Sequence, residues 1–207
     1  MAQQRSSHGR WKITMLAIAL LASLGVTIAV ISFVVHSDRP YPTEDPTATL
    51  RRLNRHTRAA HDALGIPNTQ LSTTTHGQGV SVDPTCPRPG FLNGLRDSPD
   101  LEEHVVRIGE SWMLANVKPG EAWSAAQRMR DTLKKSGWRV TFSAEGLNFF
   151  LTMQPPGAND SVSVSPYPGD RLEISAHSQC ARYPDATPTG LSGEPELPRP
   201  TPPTQEH

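Results

Sequence analysis

Few residues in this 207-residue chain have the type and spacing to do chemistry. Its two cysteines, Cys86 and Cys180, suit a disulfide or thiolate ligation. His177-x-x-Cys180 has ligand-like spacing, but a tetrahedral metal site needs four donors and no C-x-x-C partner exists. His56 and His61 are five apart, which separates them around a helix. His104 and His177 stand alone in sequence, and Glu110 and Glu173 are carboxylates that only a fold could unite. Ser161, Ser163, Ser165 and Ser175 follow the strand period, where a wet sheet face expects polar residues. No G-x-S-x-G, H-E-x-x-H, phosphate loop or dinucleotide fingerprint is present. The sequence therefore predicts no enzyme, no catalytic residue, no metal and no cofactor.

Binding residues are better marked. Trp123 sits off the apolar stripe of a predicted helix, with Gln127, Arg130 and Lys134 at helical spacing. A Trp beside an Arg is either an interface anchor or a ring folded over the core rim with Arg130 stacked on it. Phe150 interrupts a polar pattern of Asn148, Thr152 and Gln154. It marks a contact surface, or the seat of a second layer formed by residues 87–103. Asn159-Asp160-Ser161 fits an N-glycosylation sequon, meaningful only in a host with that machinery.

The elements that position these residues begin with an uncharged apolar run from Ile13 to Val35. At about 1.5 Å per residue it spans a hydrocarbon core of about 30 Å with some tilt. It is too long for the apolar region of a cleaved signal peptide, and its exit offers no A-x-A site. Arg5, Arg10 and Lys12 precede it, so residues 1–12 are expected as a cytoplasmic stub and 36–207 as exported. Small residues Ala19, Ser23 and Thr27 share one face of the run, which permits a homodimer without arguing for one. Outside the anchor, 17 basic residues meet 20 acidic ones, a net charge of about −3 that argues against nucleic acid. Both cysteines lie on the oxidising side, so one intramolecular bridge is the simplest pairing. An intermolecular pair or a metal site are the alternatives.

Asp45-Pro46 reads as a helix start and Gly65 with Pro67 as its end, giving a juxtamembrane helix over about 46–64. Leu50, Leu53, Thr57, Ala60 and Leu64 form one stripe, and Arg51, Arg55 and Arg58 a neighbouring basic face. Such a helix packs either on its own domain or on anionic headgroups. Residues 66–85 read as linker, and 86–180 as a disulfide-closed exported domain. Within it, 104–117 is an interior strand and 120–136 a helix with Ala122, Ala125, Ala126, Met129 and Leu133 inward. Alternating apolar residues then predict strands around 138–144, 147–153, 162–164 and 172–174. The expected fold is α+β: one main helix on a mainly antiparallel sheet of four or five strands. Residues 181–207, with seven prolines, read as a disordered tail.

The stretch Val117-Lys118-Pro119-Gly120-Glu121-Ala122 through Leu133 to Val140, together with Arg171 to Cys180, carries a resemblance. Over about 86–180 the chain resembles small single-pass or lipid-anchored envelope proteins of high-GC actinomycetes. That family has no established activity and transfers no functional residue. The helix-and-antiparallel-sheet plan is also similar to the repeat of secreted β-lactamase inhibitors and to small envelope-assembly lipoproteins, which favours protein binding. The expectation is a non-catalytic exported domain that binds a protein or cell-wall component. An envelope enzyme assembled only in three dimensions, or a modulator acting through the transmembrane helix, are the competing readings.

Overall fold

The computed structural model describes residues 40–67, 70–71 and 79–199. The expected anchor, Ile13 to Val35, lies outside the described residues. Among the described residues no helix is long and apolar enough to cross a membrane. The described residues form two compact units, one including Pro87–Asp100 and the other comprising Tyr41–Cys86 and the chain from Leu101 onward.

In the larger unit, helix α1 spans Pro46–Leu64. Asp45 caps it by accepting from the Ala48 amide at 2.6 Å, and Gly65 ends it in the left-handed conformation that glycine adopts without a Cβ clash. Helix α2 spans Pro119–Lys135, with proline in its first turn and Lys134 and Lys135 in its last, where they complement the helix dipole. The strands are β1 (Gln70–Leu71), β2 (Gly79–Asp83), β3 (Val105–Ala115), β4 (Arg139–Glu145), β5 (Asn148–Gln154), β6 (Ser161–Tyr167), β7 (Arg171–His177) and β8 (Ala181–Arg182). They form one antiparallel sheet in the order β1-β3-β7-β6-β5-β4, with β2 and β8 also paired to β3.

The register explains the two faces. Glu110 pairs with Ala176 and Trp112 with Ile174, so even-numbered residues of β3 and β7 point one way. That inner side also holds Val162, Val164, Leu151 and Met153 and is buried beneath both helices. Each fully buried leucine or methionine there contributes about 1.5–3 kcal/mol. Small alanines of α2 meet the larger sheet side chains, so the layers approach closely. The outer side carries Arg107, Gly109, Ser111, Glu173, Ser175, His177, Ser161, Ser163 and Thr152, mostly polar, together with the apolar Met113 and Phe150.

Three expectations need correction. The sheet has eight strands among the described residues, not four or five, and α1 packs beside the main helix α2 on its inner face. Residues 66–85 are not linker throughout: Val80 and Val82 pack against the core while Ser81 and Asp83 face outward along β3. The alternation is real but only five residues long, and polar neighbours dilute it. Nor does the chain leave the fold at Cys180. Ala181 and Arg182 pair with β3, Tyr183 is buried, and Leu197 packs on the core. The prolines here mark hairpin-like turns: Gly190 N donates to Glu194 O, and Glu196 N to Pro188 O, both at 2.9 Å. α1 packs on its own domain through its leucine stripe, which settles its apolar face.

The smaller unit folds on local bonds. Pro87–Asp100 contains a single helical turn, Phe91–Gly94. Asn93 Nδ2 donates to the carbonyls of Arg88 and Asp100 at 2.9 and 3.0 Å, and Arg96 pairs with Asp100.

Candidate functional site

The two cysteines form an intramolecular disulfide with Cα atoms 6.0 Å apart. Cys86 follows β2 and Cys180 follows β7, the strands on either side of β3, so the bridge ties both flanks of that strand together. Tyr41 and Val105 pack around it. The bridge consumes Cys180, leaving no thiolate for the His177-x-x-Cys180 metal alternative.

Next to the bridge the outer sheet face is concave. A depression of about 570 Å³ is lined by Ser81, Asp83, Arg107, Gly109, Asn159 and His177 among others. Its geometry comes from the register: Gly109 sits between Ser81 on β2 and His177 on β7. A Cβ on Gly109 would lie 2.5 Å from Ser81 Oγ and 2.9 Å from His177 Nδ1. The missing side chain lets the hydroxyl and the imidazole lean over the same spot. Burial, reinforced by the Arg107 charge and opposed by Asp83, holds the His177 pKa below its ordinary value. The ring therefore presents one donor and one acceptor at neutral pH.

The remaining charges are partly committed. Asp83 Oδ1 accepts from the Thr85 amide at 2.9 Å and from the Thr85 hydroxyl, and Arg107 Nη1 stands 3.9 Å from Asp83 Oδ2. Those hydrogen bonds keep the Asp83 pKa below its ordinary value. Arg107 also reaches Cys180 Sγ at 3.9 Å. Nucleophilic catalysis by Ser81 would need a hydrogen-bonded base that a third group orients. Asp83 is turned to Thr85 and Arg107, so the arrangement offers hydrogen bonds of both senses and one charge of each sign.

The other sequence-marked residues do not converge. Glu110 lies on the inner face, 1 % exposed, while Glu173 and His177 lie on the outer face. His104 occupies a turn at φ 58° and stacks on Tyr183, centroids 5.5 Å apart. His56 Nε2 lies 3.2 Å from Asp160 Oδ2 without hydrogen-bond alignment, and its ring meets Trp138 edge-on at 5.7 Å. Trp123 is half-buried against Phe142 and Phe149, with centroids 5.3 and 6.0 Å away. Arg130 stacks over Phe142 at 5.8 Å, not over Trp123, and pairs with Asp131 at 2.8 Å. This is a rim arrangement in which the intervening ring belongs to β4. Phe150 stands on the outer face, 52 % exposed. The sequon's Asn159 is exposed and donates to Gln179 Oε1 at 3.0 Å.

Sequence reasoning missed Ser81, Asp83, Arg107 and Gly109. Their one signal was the five-residue alternation of β2, and the pairing that gathers them is invisible before the register is known.

No protein-family model matches the chain, and no curated protein matches it. Among solved structures, the chain is similar to LppA, a candidate lipoprotein of Mycobacterium tuberculosis, at 15 % identity and a TM-score of 0.40. The match covers 79 % of this chain and 90 % of LppA. At that level nothing of LppA transfers to individual residues here.

Proposed function

We propose that the chain is a single-pass envelope protein whose exported, non-catalytic domain binds an envelope protein or cell-wall component. Binding takes place on the outer sheet face around Gly109. The observation that carries this reading is the unequal treatment of the two faces. Two helices occupy the inner face, while the outer face keeps a polar depression that a single glycine holds open. Phe150 supplies an exposed ring on the same face, and aromatic side chains serve as interface anchors. The apolar run from Ile13 to Val35 supports the membrane anchorage.

Photo-crosslinking in cells, with the full chain, tests the reading. A crosslinking residue in place of Phe150 or Ser163 is compared with one in place of Lys134, in the last turn of α2. The expected result is one shared adduct from both sheet positions, absent from Lys134 and lost in Arg107→Ala/His177→Ala. Identical adducts from all three positions would reject the sheet face as the binding surface. A turnover activity abolished by Ser81→Ala and His177→Ala would reject the non-catalytic reading.

A further inference from the structure

The solvent side of α1 is strongly basic. Arg51, Arg55 and Arg58 follow one another at intervals of four and three residues, which stacks them on one helical face. Structure adds a fourth cation that sequence spacing could not. Arg199 joins them, and with Leu50 and Pro198 the four arginines line a groove of about 320 Å³. Arg199 is brought there by a tied-down chain. Tyr183 Oη donates to Gly193 O at 3.0 Å, Glu196 N bonds Pro188 O, and Leu197 packs on the core.

The fold treats its arginines unequally. Arg52, next in sequence to Arg51, is neutralised by Glu44 at 2.8 Å and Asp160 at 2.6 Å. Arg51, Arg55 and Arg199 are exposed and have no acidic partner within 4 Å among the described residues. Arg58 donates to Asn54 Oδ1, which fixes its direction. Gathering the three charges of Arg51, Arg55 and Arg199 costs free energy, which an anion entering from outside would offset. Planar guanidinium groups fit phosphate oxygens in pairs.

From this convergence we infer that the arginine groove of α1 and Arg199 binds phosphate-bearing anionic lipid headgroups of the membrane that carries the chain. The inference rests on the reading of Ile13 to Val35 as the anchor. α1 begins eleven residues beyond Val35, a tether of at most about 40 Å at about 3.5 Å per residue. That keeps the headgroups at high effective concentration. The leucine stripe is buried in the domain, so the contact is electrostatic docking without insertion.

Arginine footprinting with phenylglyoxal on the full chain in lipid nanodiscs tests it. Phosphatidylglycerol in the discs should slow modification of Arg51, Arg55 and Arg199 by about fivefold or more relative to phosphatidylcholine discs. High salt should restore the rate, and Arg139, exposed at the start of β4, should react alike in both discs. Arg199→Gln should weaken protection at Arg51 and Arg55, whereas Lys134→Gln, which removes the same charge outside the groove lining, should not. Equal rates in the two discs would overturn the inference, as would equal protection of Arg139. Protection by millimolar inorganic phosphate in phosphatidylcholine discs, with none from phosphatidylglycerol, would overturn the lipid assignment. A chain that fails to enter the discs would instead overturn the anchor.

Discussion

Glu110 is a carboxyl group placed where water scarcely reaches, 1 % exposed between β3 and α1. Asn54 Nδ2 and Thr57 Oγ1 donate to it at 2.9 and 2.8 Å. Burial pushes its pKa above the ordinary value, and those hydrogen bonds with the Arg58 charge pull back only part of the shift. The folded state thus holds this proton more tightly than the unfolded chain does. Its contribution to stability is complete below the ordinary glutamate pKa and is lost as pH rises through the raised one. Glu110→Gln keeps the shape and the acceptor for Asn54, turns the other end into a donor to Thr57 Oγ1, whose hydroxyl can donate to Asn54 O, and removes the charge. Chemical melts across pH 4 to 8 should show the variant losing less stability with rising pH than the wild type. Parallel profiles would mean that Glu110 does not titrate in that window. Glu173, raised by burial alone, adds a slope of the same sign, and it cancels in the comparison. Gly109 makes a second residue-scale case. Ala at 109 must displace Ser81 Oγ and the His177 ring, and overpacking of this kind costs about 1–3 kcal/mol. Ser81→Ala in the same chain should return part of that loss, because it removes the nearer clash. A strictly additive double mutant would show that the two residues do not share the space.

At the scale of elements, helices and hairpins were written plainly in the sequence. Asp45-Pro46 and Gly65 bracket α1, Lys134, Lys135 and Gly137 close α2, and alternation exposes β4 to β7 because each has one dry and one wet face. The short strands β1, β2 and β8 were not legible. Their partner is β3, and what makes them strands is that partner's free edge, not their own two to five residues. The same limit hid the clasp that seats α1. Arg52 bridges Glu44 and Asp160, which is 108 positions away, and Gln179 donates to Glu44 at 2.9 Å. Burial would raise the Asp160 pKa. The close His56 ring, the Arg52 hydrogen bonds and the Arg52 charge outweigh that and hold it below the ordinary value. The clasp therefore stabilises above the ordinary aspartate pKa, about 3.9, and weakens as pH falls below it. Asp160→Asn should cost about 1–3 kcal/mol at neutral pH, less than a wholly buried pair because Arg52 is 29 % exposed and keeps Glu44. Denaturant titration should show that cost shrinking toward pH 3. A cost unchanged at pH 3 would assign it to packing and not to charge.

At the scale of the whole molecule, the Cys86–Cys180 bridge joins segments whose partners come from opposite ends of the chain. Its sequence separation of 94 residues gives it an entropic contribution of about 4–5 kcal/mol in the loop-closure model. Placement tells where the loss should fall. Immediately beyond Cys180, Arg182 N donates to Pro42 O and Glu44 N to Arg182 O, so β8 and the segment entering α1 hold each other in place. Tyr183, the hairpin-like tail and Arg199 hang from the same point. The β4–β5 hairpin lies at the far edge of the sheet and owes its order to its own seven-residue register and the α2 rim. Cys86→Ala/Cys180→Ala should lower stability by about 3–5 kcal/mol, measured by urea unfolding. Before global unfolding, hydrogen exchange should quicken at Glu44, Arg182 and Tyr183 and stay unchanged in β4 and β5. Quickening spread evenly over both regions would show that the bridge acts only through the unfolded chain. The outer depression and the arginine groove would then be independent of it.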